Sequence, residues 1–202
     1  ASSGIRLVRS DVKGGKEAAQ KLAVESTTEE VLVFSDTATI LESKAIIEIV
    51  NNFRDKSVGC VSSVDRFIDT DGVVSGEGAY VRYEMALRSL ESRVNTLVGL
   101  SGSFFSARRE VCRNWAPDLQ SDFNTLLNSI RLGLRGVADP NSIGYYKNLV
   151  DQRKEYERKV RTVVRGISVF MRSLSLLNPV RYHLFAWQLF SHKLCRWLVP
   201  VA

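Results

Sequence analysis

An aspartate that directly follows a short apolar strand is the residue in this sequence best placed for chemistry. Asp36 comes after the predicted strand Val31–Ser35, and ligands of open α/β sheets collect where strands end. A carboxylate at that place can hold a divalent cation against a diphosphate through hard oxygen ligands. The alternative is that Asp36 or Thr39 caps the helix predicted to begin near Leu41. The motif alone does not choose between these two roles.

Two further motifs offer candidate chemistry. Gly14-Gly15-Lys16 opens a predicted helix over 16–27, and backbone amides at a helix start together with a lysine suit a phosphate. The spacing is not that of a Walker loop, and such a motif is usually a turn with a solvated lysine. Asp122 precedes an apolar helix predicted over 122–132. It is either a general base for an acceptor hydroxyl or an N-cap, which is the commoner role at this position.

The elements around these residues alternate in the pattern of an α/β layered domain. The predicted strands are 31–35, which we expect to be of the buried parallel type, 58–64 and 104–107; the predicted helices are 16–27, 42–53, 80–94, 108–115 and 122–132. From residue 152 onward the pattern is helical, with a break at Pro179 before a final amphipathic helix. We therefore expect one mixed-sheet domain over 1–150 and a helical extension over 151–202.

The charge of the chain is distributed unevenly. Residues 152–202 carry ten basic residues against two acidic ones, a net charge of +8, whereas residues 1–151 carry 18 basic and 20 acidic residues. Near the end, Trp187 and Trp197 alternate with histidines and basic residues, which is typical of a helix at a membrane interface. The alternative is an ordinary helix docked on the core. The sequence contains no recognisable nucleic-acid recognition motif, so we expect no nucleic-acid partner.

Five ordered stretches of the chain together resemble the glycosyltransferase-2 family of membrane-attached polysaccharide synthases. They are Gly15-Lys16-Glu-Ala-Ala with 31–39; Gly78-Ala-Tyr80 to Glu84 with Gly99-Leu-Ser-Gly-Ser103 and Ala107-Arg-Arg-Glu110; Ser121-Asp122-Phe123; 155–166, at the place of the family's Q-x-x-R-W motif; and Ser191-His-Lys193 with Arg196-Trp197 and Pro200. The resemblance covers essentially the whole chain. It implies a partial GT-A fold and inverting transfer of a sugar from a nucleotide-diphosphate donor to a hydroxyl acceptor.

The resemblance also implies roles for particular residues. Donor binding falls to Lys16, Asp36, Arg158 and Arg161, with Asp36 holding Mg²⁺ or Mn²⁺; Asp122 is the catalytic base, and Gly102 and Ser103 bind the acceptor. The implied partners are a nucleotide-diphosphate sugar, a glycan or lipid-linked acceptor and a membrane surface. The three cysteines have no metal-ligand spacing and fit reduced thiols, so we expect a location on the cytoplasmic face of the cell membrane.

The sequence departs from the family pattern at several points. Ala38 stands at the second acidic position of the D-x-D motif, and Arg158 and Thr162 stand at the glutamine and the aromatic residue of Q-x-x-R-W. The family has further nucleotide-binding strands before the Gly-Lys helix and transmembrane helices after the position of Ala202. We therefore expect these 202 residues to be part of a catalytic domain and to be inactive alone. The alternative function is a degenerate, non-catalytic module that binds a membrane or a partner subunit.

Overall fold

The computed structural model describes residues 4, 6–9, 11, 13–68, 79–147 and 152–198. Its elements in chain order are α1 Gly15–Glu25, β1 Val31–Ser35, β2 Ile40–Leu41, α2 Ala45–Asn51, a 3₁₀ turn Asn52–Arg54, β3 Val58–Ile68, α3 Ala79–Val94, β4 Phe104–Arg108, α4 Arg109–Cys112, α5 Ser121–Arg131, β5 Arg135–Lys147, α6 Gln152–Met171, a 3₁₀ turn Leu174–Leu177, α7 Pro179–Gln188, a π-helical segment Leu189–Leu194 and α8 Cys195–Leu198. The expected α/β class with a mixed sheet is confirmed.

The five strands form one sheet in the order β1-β4-β3-β5-β2. Only the central β3–β5 pair is parallel; β1 and β3 run antiparallel to β4, and β2 runs antiparallel to β5. The expectation that β1 is a buried parallel strand was wrong. It is an edge strand that buries Leu32 and Phe34 on one face while Val33 faces outward, and five apolar residues do not distinguish these two situations.

Strand β5 was not predicted, because its middle contains Asp139-Pro140-Asn141, residues typical of a turn. The ladder with β3 shifts register between Ala138 and Ile143, and a proline is tolerated in a strand at such an irregularity. The Asp139 carboxylate replaces the lost ladder bonds by accepting from the Asn141 amide at 2.9 Å, the Ser142 hydroxyl at 2.7 Å and the Asn52 amide group at 2.8 Å. The irregular segment is therefore tied internally and to the end of α2.

Helices cover the sheet through three buried apolar clusters. One of them joins α5 to the C-terminal helices: Phe123 and Leu127 pack with Phe170 of α6, Phe185 of α7 and Leu189. The described part of the predicted extension thus shares a core with the sheet domain. The domain boundary predicted at 150/151 and the family motif at Gly78 lie outside the described residues.

Among the helices in the described ranges, none has both the length and the hydropathy that crossing a lipid bilayer requires.

Candidate active site

Asp36 stands where β1 leaves the sheet, and the structure gives it no capping role. Its amide donates to the Ser103 carbonyl at 2.8 Å, and its Oδ1 lies 2.6 Å from the Lys16 ammonium. Helix α2 begins after Lys44 without a side-chain cap, so neither Asp36 nor Thr39 serves as its N-cap. The Asp36 side chain is partly exposed, so a ligand can reach its carboxylate.

Lys16 reaches the same place from the start of α1. Gly15 has φ +78°, a conformation that favours glycine over any residue with a side chain, and this turn places Lys16 in the first helical turn. The Lys16 ammonium donates to the Gly102 carbonyl at 2.8 Å while it contacts Asp36. The Gly-Gly-Lys motif is therefore not a turn with a freely solvated lysine. It joins the end of β1 to the loop before β4.

Asp122 lies on the other side of that loop, and it does not cap α5 either. The N-cap of α5 is Gln120, which makes no side-chain cap bond; instead its side-chain amide donates to Asp122 Oδ2 at 3.2 Å. A Cβ at Gly102 would lie only 3.3 Å from Asp122 Oδ2. Burial raises the pKa of Asp122, while the positive charges of Lys193 and Lys16 act to lower it. The structure thus brings Lys16, Asp36 and Asp122 together around Gly102.

The loop that carries Gly102 is held by a buried carboxylate that the sequence did not reveal. Asp65, on β3, accepts from the Ser101 hydroxyl at 2.6 and 2.7 Å and from the Ser103 hydroxyl at 2.5 Å. Burial raises the pKa of Asp65, and the bonds from these serines oppose that effect. The Ser103 hydroxyl therefore points toward Asp65, and it is the backbone of residues 101–103 that borders the site.

The two predicted donor-binding arginines lie on α6, about two turns and one turn before Arg165. Arg161 is exposed and Arg158 is partly exposed. Arg165, which sequence reasoning did not single out, pairs with Glu17 at 2.5 Å. This ion pair ties α6 to the helix turn that contains Lys16. The structure thus brings the helix that carries Arg158 and Arg161 beside the start of α1, and the binding of a donor by these two arginines stays a prediction.

The chemistry of Asp36 fits a metal that is shared with a ligand. In the described part of the chain, no three His, Cys, Asp or Glu side chains cluster in a way that would hold a metal ion. Mg²⁺ in phosphate-transfer sites typically needs only one or two carboxylates, with phosphate oxygens and waters completing its shell. A single, partly exposed carboxylate beside a lysine has the right chemistry for that arrangement, but not for binding a metal tightly without a diphosphate.

Neither a protein-family model nor a curated protein sequence matches the chain. Its fold is similar to that of the mannosyltransferase PcManGT from Pyrobaculum calidifontis in complex with GDP-Man and Mn²⁺, with a TM-score of 0.69, 20% identity, and 84% of this chain and 46% of that chain covered. It is also similar to GalNAc-T7 with UDP, GalNAc and Mn²⁺, with a TM-score of 0.52, 14% identity and coverages of 72% and 32%.

A third similar structure is the glucosyl-3-phosphoglycerate synthase from Mycobacterium tuberculosis in complex with phosphoglyceric acid, with a TM-score of 0.51, 18% identity and coverages of 81% and 57%. The chain spans about half the length of these structures or less. At such low identity the similarity establishes the fold. The expected partial GT-A-like fold of glycosyltransferases is therefore confirmed, while membership of family 2 stays a prediction.

Proposed function

We propose that this chain forms part of the catalytic domain of an inverting glycosyltransferase. The enzyme moves a sugar from a nucleotide-diphosphate donor to the hydroxyl of a glycan or of a lipid-linked acceptor. The observation that carries this proposal is the convergence of Asp36 and Asp122 on the two sides of Gly102, with Lys16 in contact with Asp36 and with the Gly102 carbonyl. The similar structures contain GDP-Man, UDP with GalNAc, or phosphoglyceric acid, which agrees with a transferase.

The donor side of the site is built from α1, β1 and α6. Asp36 and Lys16 would bind the diphosphate, Asp36 through a bound Mg²⁺ or Mn²⁺ and Lys16 directly. The metal ion would supply positive charge that stabilises the leaving diphosphate. Arg165 holds α6 beside the start of α1. Measured from Arg165 along the helix axis toward the N-terminus of α6, Arg161 lies about 6 Å away and Arg158 about 10 Å away. We assign these two arginines to the outer diphosphate oxygens, which they can bind by charge-assisted hydrogen bonds.

The acceptor side is built from α5 and the loop 99–103. Asp122 would accept the proton of the acceptor hydroxyl while that oxygen attacks the anomeric carbon opposite the diphosphate. The new carbon–oxygen bond forms as the bond to the diphosphate breaks, and the anomeric configuration is inverted. Gly102 suits a place between the two reactants, because even a methyl group there would crowd Asp122. The backbone of Gly102 and Ser103 then borders the acceptor.

We further propose that α6 and the following helices face the cytoplasmic surface of a membrane. Helix α6 exposes an apolar stripe whose members recur every three or four residues: Tyr156, Val160, Val163, Ile167 and Met171. Basic residues lie between these positions, namely Arg158, Lys159, Arg161 and Arg165. An exposed apolar stripe flanked by basic residues is the pattern of an interfacial helix. This placement would bring a lipid-linked acceptor close to Asp122, since α6 also packs beside Gln120 at Gly166.

The test of the proposed reaction compares Asp122→Asn with Asp36→Asn in the full gene product. Asp122→Asn should lower the sugar-transfer rate by at least about a hundredfold, the scale of general-base catalysis, while the affinity for GDP- or UDP-sugars stays within twofold (roughly 0.4 kcal/mol). Asp36→Asn should abolish the part of the donor affinity that depends on Mn²⁺. Isothermal titration measures binding, and radiolabelled sugar transfer measures the rate.

Asp118→Asn is the matched control. Asp118 precedes the same helix, but its carboxylate pairs with Arg172 at an exposed position. It should change neither rate nor affinity. If Asp122→Asn abolished donor binding and transfer together, Asp122 would be structural. If the unaltered gene product bound donors without any transfer, the chain would be a non-catalytic module. The exposed Ala38, at the place of the family's second acidic residue, is compatible with that alternative.

A further inference from the structure

A lysine from the C-terminal part of the chain borders the candidate site. Lys193, in the π-helical segment Leu189–Leu194, places its ammonium 4.5 Å from the centre of the Phe123 ring and 5.9 Å from that of Trp197. The same nitrogen lies 3.2 Å from where a Cβ at Gly99 would be. Phe123 is the residue after Asp122, and Gly99 begins the loop that ends at Ser103. Lys193 and Asp122 therefore flank the same loop.

The segment that carries Lys193 is fastened to α3 on both sides of the lysine. His192 Nδ1 lies 2.5 Å from Glu91 Oε1, and Arg196 donates to Glu84 at 2.7 Å. One turn earlier, the side chain of Gln188 bonds to the Asn95 side chain at 2.8 Å and to the Thr96 carbonyl at 3.1 Å. This set of bonds fixes the register of the segment, because moving it by one residue would break all of them. Lys193 is thus held in place rather than free to extend into solvent.

The charges around the two groups couple them electrostatically. The positive charges of Lys193 and Lys16 favour the ionised form of Asp122. Lys193 in turn is attracted by Asp122 and Glu84 and repelled by Arg196 and Arg88. Arg88 is held in place because its guanidinium donates to the Ser62 hydroxyl and to the Gly99 carbonyl. Burial, opposed by Asp122, lowers the pKa of Lys193 to about 8.

We propose that Lys193 is a positioning residue for Asp122, and that its ammonium, held over the Phe123 ring beside Gly99, keeps the nearby carboxylate ionised. A general base must be ionised before it accepts a proton, and burial by itself favours the neutral acid. The positive charge of Lys193, on the C-terminal segment, offsets this effect of burial on the carboxylate. The candidate site is then complete only when this segment is docked on α3. The purpose of the arrangement rests on the proposed function, but the electrostatic coupling does not.

The test measures the coupling directly on the unliganded 202-residue chain. Carbon-13 NMR follows the titration of the Asp122 carboxyl in the unaltered chain and in the Lys193→Met, Lys193→Arg and Lys44→Met variants. Removing the ammonium should raise the pKa of Asp122 by about one pH unit, the lower end of the effect of a neighbouring opposite charge. Lys193→Arg keeps the charge and should restore most of the difference. Lys44, exposed before α2, is the matched control and should have no effect.

The reverse measurement covers the case in which Lys193→Met does not fold. Coupling between two groups is reciprocal, so Asp122→Asn should lower the pKa of Lys193, read from its Cε resonance. The proposal is overturned if the Asp122 titration is the same in Lys193→Met as in Lys44→Met, or if Asp122→Asn leaves Lys193 unchanged. Since no turnover is measured, a chain without transferase activity would still decide the coupling. Failure of the coupling would equally leave the proposed reaction standing.

Discussion

Replacement of Arg108 should destabilise the whole sheet, because its guanidinium donates hydrogen bonds to backbone carbonyls inside the protein. Arg108 ends β4, and its side chain is only 10% exposed. It donates through Nε to the Val58 carbonyl at 2.8 Å, and through one terminal nitrogen to the Phe53 carbonyl at 2.8 Å and the Asp55 carbonyl at 3.2 Å. The other terminal nitrogen pairs with Glu30 at 2.9 Å. The arginine thus joins β4 to the turn that leads into β3.

The expected cost follows from the carbonyls that lose their donor. Leaving a buried acceptor unsatisfied costs about 1–3 kcal/mol, and two of the carbonyls, those of Val58 and Phe53, receive buried bonds. The cation–π contact with Phe53 adds roughly 0.5–1 kcal/mol. Arg108→Met keeps the apolar stem and removes the donors, so we expect a loss of about 2.5–7 kcal/mol in the free energy of unfolding. For a chain of this size that corresponds to a melting temperature lower by roughly 5–28 °C.

Urea unfolding followed by circular dichroism measures this loss, and Glu30→Gln is its control. Glu30 is 83% exposed, and exposed ion pairs contribute about 0–1 kcal/mol. Glu30→Gln should therefore cost far less than Arg108→Met, although both break the same ion pair. Equal, small losses in the two variants would show that the buried carbonyls take up water without penalty. The reasoning from unsatisfied acceptors would then be wrong.

Two further predictions concern the C-terminal helices. The carboxylates of Glu84 and Glu91, which accept hydrogen bonds from the imidazolium, raise the pKa of His192 from 6.5 to about 9. The resulting stability is fully present below pH 6.5 and is lost as the pH rises through about 9. Because solvent partly screens these charges, we expect less than the full value of the shift: urea unfolding should show a decline of roughly 2 kcal/mol that His192→Gln removes. In vesicle co-sedimentation, Val160→Ser with Ile167→Ser on α6 should weaken binding to anionic lipid roughly tenfold, whereas equal binding by this variant would refute the membrane placement.

The parts of the fold that the sequence predicted are those with strong local signals. Helices α1, α3 and α5 have amphipathic periods, and their observed bounds differ from the predicted ones by one or two residues. Strand β5 could not be found in this way, because the Asp139-Pro140-Asn141 irregularity is stabilised by Asn52, a residue distant in sequence. The antiparallel, edge position of β1 was likewise unpredictable, since a five-residue apolar run does not show its pairing partner.

The candidate site shows the same limit. Lys16, Asp36 and Asp122 stand beside turns or helix starts, and the order of the motifs along the chain made them candidates before any geometry was known. Asp65 lies inside a strand and takes its importance from serines of a distant loop. Lys193 lies in a segment whose composition suggested a membrane contact, and only the packing of that segment shows that its ammonium lies over the ring of Phe123, the residue after Asp122. Residues whose role depends on non-local contacts have no signature in the spacing of the sequence.

The same packing changes how the charge of residues 152–202 should be interpreted. Arg165 pairs with Glu17 and Arg172 with Asp118, while Trp197, predicted to anchor in lipid headgroups, packs edge-on against Phe123 and Phe170. A cation that is already paired attracts anionic lipid less than an unpaired one, since its field is partly cancelled. Under the proposed membrane placement, the +8 balance would therefore overstate the electrostatic attraction, and apolar contact through α6 and through Trp187, which is 64% exposed, would add to it. A test of membrane contact that deleted residues 178–202 would remove Phe185 and Leu189 from the core, so surface substitutions on α6 are the better test.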